Sequence, residues 1–129
     1  MAATYSYNKT EKLKSRKALN ALFTGGKTFS VFPVKLFYMP LPEEAVQAIQ
    51  VGVGVSARHF KKAVDRNRIK RLLRECYRLN KLSLHATATA NQKKIAVFFL
   101  YIGKELPEYA MLNEKMLQAL TKLEEKLVR

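Results

Sequence analysis

The chain has few of the residues on which disulfide-bonded, zinc-binding and membrane proteins depend. Its 129 residues include one cysteine, Cys76, so neither a disulfide nor a cysteine zinc site can form within a single chain. No apolar run approaches the roughly 20 residues of a membrane span. The first residues lack the charged start and apolar stretch of a secretory signal. We therefore expect a cytoplasmic protein that does not contact a membrane.

Acidic residues are also scarce. The chain carries 24 Lys and Arg against 10 Asp and Glu, a net charge of +14. Such a charge opposes compaction unless a polyanion neutralises it. The acids are scattered, and neither His59 nor His85 has an acid at a spacing that suggests a catalytic dyad. A divalent metal would need several converging oxygen ligands. We therefore expect no catalytic residue, metal site or cofactor in the protein itself.

The most informative segment is the basic run over residues 64–74. On a helix, the apolar residues of this region fall on one side: Ile69, Leu72, Leu73, Cys76 and Tyr77. Asn67, Lys70, Arg71, Arg74 and Arg78 fall on the opposite side, flanked by Arg66 and Arg68. A solvated helix face normally mixes charges of both signs, and arginine suits phosphate better than lysine does. The pattern predicts a core-anchored helix that binds nucleic acid.

The remaining pattern predicts a flexible segment over 1–11 and one RNA-binding α+β domain over 12–129. The predicted elements are a helix over 12–23 ended by Gly25-Gly26, a strand over 28–39 interrupted near Pro33, a strand over 49–55, the basic helix to about Leu82, a mobile polar loop over 83–94, a buried strand over 94–102 and a last helix after Pro107. The apolar stripe of the last helix is Leu112, Met116, Leu120, Leu123 and Leu127. The order α-β-β-α-β-α indicates a small sheet packed by helices.

The strand over 49–55 carries glycine at two positions of one face. Gly52 and Gly54 alternate with valines and leave that face almost bare of side chains. They lack the third glycine and the following helix of a phosphate-binding loop. Two interpretations stay open. The glycines make room for a bulge or a close helix, or they leave an open floor for an extended ligand.

Two consecutive motifs resemble the bacterial ribonuclease P protein subunit. Val51-Gly-Val-Gly-Val-Ser56 is followed by Lys62-Ala-Val-Asp-Arg-Asn-Arg-Ile-Lys-Arg-Leu-Leu-Arg-Glu75, and Arg66-Asn67-Arg68 matches the hallmark of that family. The resemblance extends over about residues 12–122. It implies a left-handed β-α-β crossover, whereas general rules favour a right-handed one.

The resemblance also implies a function. Members of the family bind a catalytic RNA that carries the active site and its Mg²⁺, and the complex removes the 5′ leader of precursor tRNA, with no obligate protein partner. The residues expected to contact RNA are Arg58, Lys62, Arg66, Asn67, Arg68, Lys70, Arg71 and Arg74. The residues expected to contact the leader, in a cleft between the first helix and the sheet, are Phe23, Lys35, Phe37 and Ser56.

Some alternatives remain. Leu19 stands where many relatives have an aromatic residue, and Phe23 fits plain core packing as well as base stacking. The basic helix would also suit a generic or ribosomal RNA-binding protein, or a nuclease that acts without RNA. A DNA-reading helix usually follows a short helix and a tight turn, whereas this one follows a strand. We expect removal of charge at Arg66, Arg68 or Arg71 to weaken RNA binding and leave the fold intact.

Overall fold

The computed structural model describes residues 16–42, 44 and 48–128, which form helices on both faces of one sheet. The elements in chain order are α1 (Arg16–Gly25), β1 (Lys27–Val31), β2 (Val34–Pro40), β3 (Ile49–Val55), α2 (Ala63–Ala90), β4 (Ile95–Tyr101) and α3 (Tyr109–Leu127). This is the predicted α+β architecture. The predicted boundary after residue 11 and the start of the first helix at residue 12 lie outside the described residues.

The sheet is mixed, with strand order β1-β2-β4-β3. β2 pairs antiparallel with β1 and β4, whereas β3 pairs parallel with β4. The connection between the two parallel strands is α2, so β3-α2-β4 forms the predicted crossover. Its left hand stays a prediction.

The interruption predicted near Pro33 is a reversal of the chain. β1 and β2 form a hairpin in which Val31 pairs directly with Val34, and Phe32-Pro33 is the turn. Proline has no backbone N–H to donate to the ladder. The single strand predicted over 28–39 is therefore two strands, and the sheet has four strands instead of three. The alternating pattern indicated extended chain but not its change of direction.

The mobile loop predicted over 83–94 is wrong for most of its length, because α2 continues to Ala90. Leu84 and Ala88 are fully buried in the core. On the neighbouring side, the hydroxyl groups of Ser83 and Thr87 each donate a hydrogen bond of 2.7 Å to Glu124 Oε1 of α3. Contacts with α3 and the core thus outweigh the weak helix propensity of the threonines.

The sheet separates a large core from a small one. α2 and α3 cover one face, and all five residues of the predicted α3 stripe are buried there. Four of the five residues of the predicted α2 stripe, Ile69, Leu73, Cys76 and Tyr77, are fully buried, and Leu72 is partly buried against the same core. α1 covers the other face through a cluster of Leu22, Ala96 and Phe98. Among the described residues, no helix has the length and apolarity that a membrane crossing needs.

Candidate nucleic-acid interface

The first turns of α2 present cations to solvent above a buried anchor. Ile69 and Leu73 are fully buried. On the outward side, Asn67, Arg68, Arg71 and Arg74 are exposed and Lys70 is partly exposed. The connector before the helix adds exposed Arg58 and Lys62. The structure therefore places the sequence-predicted RNA-contacting residues on one end of α2 and the loop that precedes it.

Arg66 differs from its neighbours because it also holds the connector in place. Its guanidinium donates hydrogen bonds of 2.8 Å to the carbonyl oxygens of Phe60 and Lys61. The Phe60 side chain is buried and lies 6.0 Å from the Tyr101 ring, centroid to centroid. Arg66 thus links the start of α2 to a loop that is anchored on the sheet. The expectation that Arg66 can be changed without affecting the fold is not supported.

An ion pair marks the far end of the cationic face. Arg78 donates hydrogen bonds to both carboxylate oxygens of Glu75, with Nε 3.2 Å from Oε2. The hydrogen bond from Arg78 lowers the pKa of the Glu75 carboxyl below its usual value. Within the described part of the chain, Arg68, Arg71 and Arg74 have no ion-pair partner. The cationic surface that is free to meet phosphate therefore ends near Arg74.

The opposite face of the sheet carries an aromatic cluster, which we call the aromatic cleft (Phe23, Lys35, Phe37 and Phe98). The Phe23 ring stands edge-on to the rings of Phe37 and Phe98, with centroids 5.2 and 5.0 Å away. Lys35 Nζ lies 5.2 Å from the centroid of the Phe37 ring. The Phe23 side chain is 46% exposed although it packs on both rings. Core packing and partial solvent exposure therefore coexist at Phe23.

Two other residues that the sequence associated with leader binding, Leu19 and Ser56, lie in different parts of the structure. Leu19 is a partly buried member of the small core beneath α1. Ser56 follows the last residue of β3, where its backbone N–H donates to the carbonyl of Tyr101 at 3.3 Å. Because β4 lies between β2 and β3, Ser56 is two strands away from Lys35. The structure brings together three of the four predicted leader residues and leaves Ser56 apart.

Gly54 makes room for an aromatic ring. A Cβ atom at Gly54 would lie 2.6 Å from Cζ of Phe98. Neither a bulge nor a helix fills this space, and the floor at Gly54 is not open to a ligand. Sequence reasoning missed Phe98 as part of this site, because the apolar run of β4 is nearly continuous and hides which residues share a face. Its pairing with both Phe37 and Gly52 places it there.

The described residues contain no group of three His, Cys, Asp or Glu side chains close enough together to hold a metal ion.

Comparison with known proteins connects this geometry to one family. The sequence profile of the family Ribonuclease P matches residues 7–124. The ribonuclease P protein component of Porphyromonas gingivalis is 34% identical over 121 residues, covering 94% of this chain and 88% of the relative. That of Chlorobium phaeobacteroides is 32% identical over 121 residues, covering 86% and 83%.

Solved structures agree on the fold. The RNase P protein of Staphylococcus aureus superposes with a TM-score of 0.68 at 15% identity, covering 88% of this chain and 94% of that chain. The RNase P protein of Thermotoga maritima superposes with a TM-score of 0.66 at 22% identity, covering 87% and 96%. With the profile match over nearly the whole chain and relatives above 30% identity, the chain belongs to the ribonuclease P protein family.

Proposed function

We propose that this chain is the protein subunit of ribonuclease P, which binds the RNA subunit and assists removal of the 5′ leader from precursor tRNA. The observation that carries the proposal is the cationic end of α2, where Arg68, Arg71 and Arg74 face solvent without an acidic partner among the described residues. Guanidinium groups in this arrangement suit the phosphates of a folded RNA. Membership of the ribonuclease P protein family supports the RNA subunit of ribonuclease P as that RNA.

In this proposal the protein does not carry out the chemistry. The RNA subunit supplies the active site and binds the Mg²⁺ ions, and the protein contributes positive charge where two RNAs approach each other. Screening this repulsion strengthens substrate binding without a protein nucleophile or base. We further propose that the protein acts in the cytoplasm and without an obligate protein partner.

The aromatic cleft is the proposed contact for the single-stranded leader. Phe23 and Phe37 offer ring surfaces to unpaired bases, and Lys35 beside Phe37 offers charge to the backbone. Stacking on aromatic rings accepts every base and is worth about 1–3 kcal/mol per base. Leader binding of this kind tolerates many sequences and favours precursor over mature tRNA.

Reconstitution with a bacterial ribonuclease P RNA at low Mg²⁺ tests the function. We expect the protein to restore cleavage of precursor tRNA, and to strengthen binding of precursor much more than that of mature tRNA. Equal strengthening of both would contradict leader binding but would leave the assignment as a ribonuclease P subunit intact. Binding of RNA without restored cleavage would favour a generic RNA-binding protein. Cleavage by the protein with Mg²⁺ but without the RNA would contradict the proposal that the RNA subunit carries the active site.

A further inference from the structure

A second cationic surface lies at the end of the sheet where α1, α2 and α3 finish. A cavity of about 300 Å³ is lined there by four lysines, Lys27, Lys93, Lys94 and Lys126. We call it the lysine cavity. Its remaining lining residues are Gly25, Gly26, Tyr38, Met39, Pro40, Ile95 and Leu127. No carboxylate stands among the described residues that line it.

The lysine cavity is separate from both surfaces assigned above. α2 is 28 residues long, about 42 Å. Lys93 follows its C-terminus, whereas Arg68 lies near its start, so the two are about 30 Å apart along the helix. Lys27 pairs with Tyr38, whose side chain points to the opposite face of the sheet from its neighbour Phe37. None of the four residues of the aromatic cleft lines the cavity, although Met39 does and packs in the same small core as Phe37.

The four lysines carry more positive charge than the nearby helix C-termini can neutralise. The C-termini of three helices meet here, each carrying roughly half a negative charge. Four lysines exceed that total. Backbone groups also cap the helices already, since the N–H of Gly26 bonds to the carbonyl of Leu22 at 2.9 Å and that of Lys93 to Ala88 at 2.8 Å. A positive surplus remains at the surface.

Neighbouring side chains leave this surplus available. In the described part of the chain, neither Lys27, Lys93 nor Lys126 forms an ion pair. Lys126 Nζ lies 5.4 Å from the centroid of the Phe29 ring, and Lys122 Nζ lies 5.3 Å from the same centroid. The ring attracts both ammonium groups without neutralising either, and Lys126 is the one of the two lysines that lines the cavity. Lysines gathered around one cavity repel each other unless an anion is bound.

We propose that the lysine cavity is a second contact for the phosphodiester backbone of RNA. This inference rests on the proposed function, because it assigns a further surface to the same complex. A folded RNA presents phosphates over distances of about 30 Å, so one RNA can reach both surfaces, or two RNAs of the same complex can occupy one surface each. The backbone belongs either to the RNA subunit or to precursor tRNA, and the experiment separates the two.

The test compares two variants of equal charge. Lys93→Gln/Lys126→Gln removes two exposed lysines from the cavity. Lys104→Gln/Lys115→Gln removes two from a different cavity, whose lining also contains Glu105 and Glu108. Binding of the RNA subunit alone, and of precursor tRNA to the assembled enzyme, is measured over a series of salt concentrations. Thermal unfolding of each variant confirms that it folds.

The salt dependence of binding is the readout. For the cavity variant we expect the slope of log affinity against log salt to fall by about 1 for each lysine removed, with the control variant like wild type. A change confined to the RNA subunit, or confined to precursor tRNA, identifies whose backbone is bound. Equal changes in both variants, or none in either, would overturn the second contact. If the wild-type protein binds neither RNA, the proposed function fails as well.

Discussion

The ring of Phe98 lies directly over Gly54, so close that a methyl group at Gly54 would be 2.6 Å from Cζ of Phe98. The same ring supports Phe23 at a centroid distance of 5.0 Å. The absence of a side chain in β3 thus determines where an exposed aromatic residue of α1 can sit. Gly54 therefore shapes the aromatic cleft, although it contributes no side chain to it.

Gly54→Ala is expected to destabilise the fold and displace the Phe98 ring. Overpacking of this kind costs about 1–3 kcal/mol, to be measured by urea unfolding. Gly25→Ala is the control, because a Cβ at Gly25 meets nothing within 4 Å. If Gly54→Ala is as stable as Gly25→Ala, the contact with Phe98 is not tight.

Arg66→Ala and Arg68→Ala should separate stability from RNA binding. Arg66 donates two hydrogen bonds to the connector, so its loss should lower the free energy of unfolding by about 1–2 kcal/mol as well as weaken RNA binding. Arg68 is exposed, and its loss should weaken RNA binding only. Unfolding curves and RNA titrations of both variants provide the measurement. Equal stability of the two variants would contradict a structural role for Arg66.

Phe23→Ala should reduce the preference of the enzyme for precursor over mature tRNA. Loss of one stacking contact weakens precursor binding by about 1–3 kcal/mol and leaves binding of mature tRNA unchanged. Phe32→Ala is the control, because Phe32 is 67% exposed at the hairpin turn, outside the aromatic cleft. An equal loss for both tRNAs would show that Phe23 serves the fold alone.

Glu124→Ala should loosen the C-terminal half of α2. It removes the shared acceptor of Ser83 and Thr87, and we expect a loss of about 1–2 kcal/mol with faster amide exchange over residues 83–90. Glu125→Ala removes the same charge from an exposed neighbour and should change neither quantity. Equal exchange in the two variants would contradict the role of the Glu124 contacts.

Stability should fall in alkaline solution because of Cys76. Burial raises the pKa of its thiol from 9.0 to about 11. The folded state therefore keeps its proton where the unfolded state loses it, and stability drops between pH 9 and 11 by on the order of 2 kcal/mol. Cys76→Ala lacks this contribution. The stability difference between wild type and Cys76→Ala should shrink over that range, and a constant difference would contradict the shift.

Sequence periodicity predicted the elements that have one buried face. The α2 and α3 stripes are buried as predicted, because a helix in a small domain must cover its apolar side. Periodicity failed where tertiary contacts decide. The helical turns after Leu82 depend on Glu124, which is about 40 residues away along the chain. Leu84 and Ala88 continue the α2 stripe at helical spacing, so part of the signal was local, but the polar and small residues between them favoured a loop.

The sequence likewise predicted the cationic surface of α2 but only part of the aromatic cleft. The cationic surface depends on residues close together in sequence, so the helix period alone places Arg68 and Arg71 together. The aromatic cleft joins α1, β2 and β4, and only strand pairing places Phe98 between Phe37 and Gly52. The lysine cavity was missed because its four lysines come from three separate parts of the chain.

The unequal size of the two cores bears on the dynamics of α1. Three fully or nearly fully buried residues, Leu22, Ala96 and Phe98, form the cluster beneath α1, whereas α2 and α3 share the large core. Elements with little buried apolar surface open at a lower free energy than the whole protein unfolds. We expect α1 to detach and reclose while the sheet stays folded. The distance from Phe23 to Phe37 and Phe98 would then vary while α2 stays folded, and the proposed leader site could accept nucleotides of different bulk.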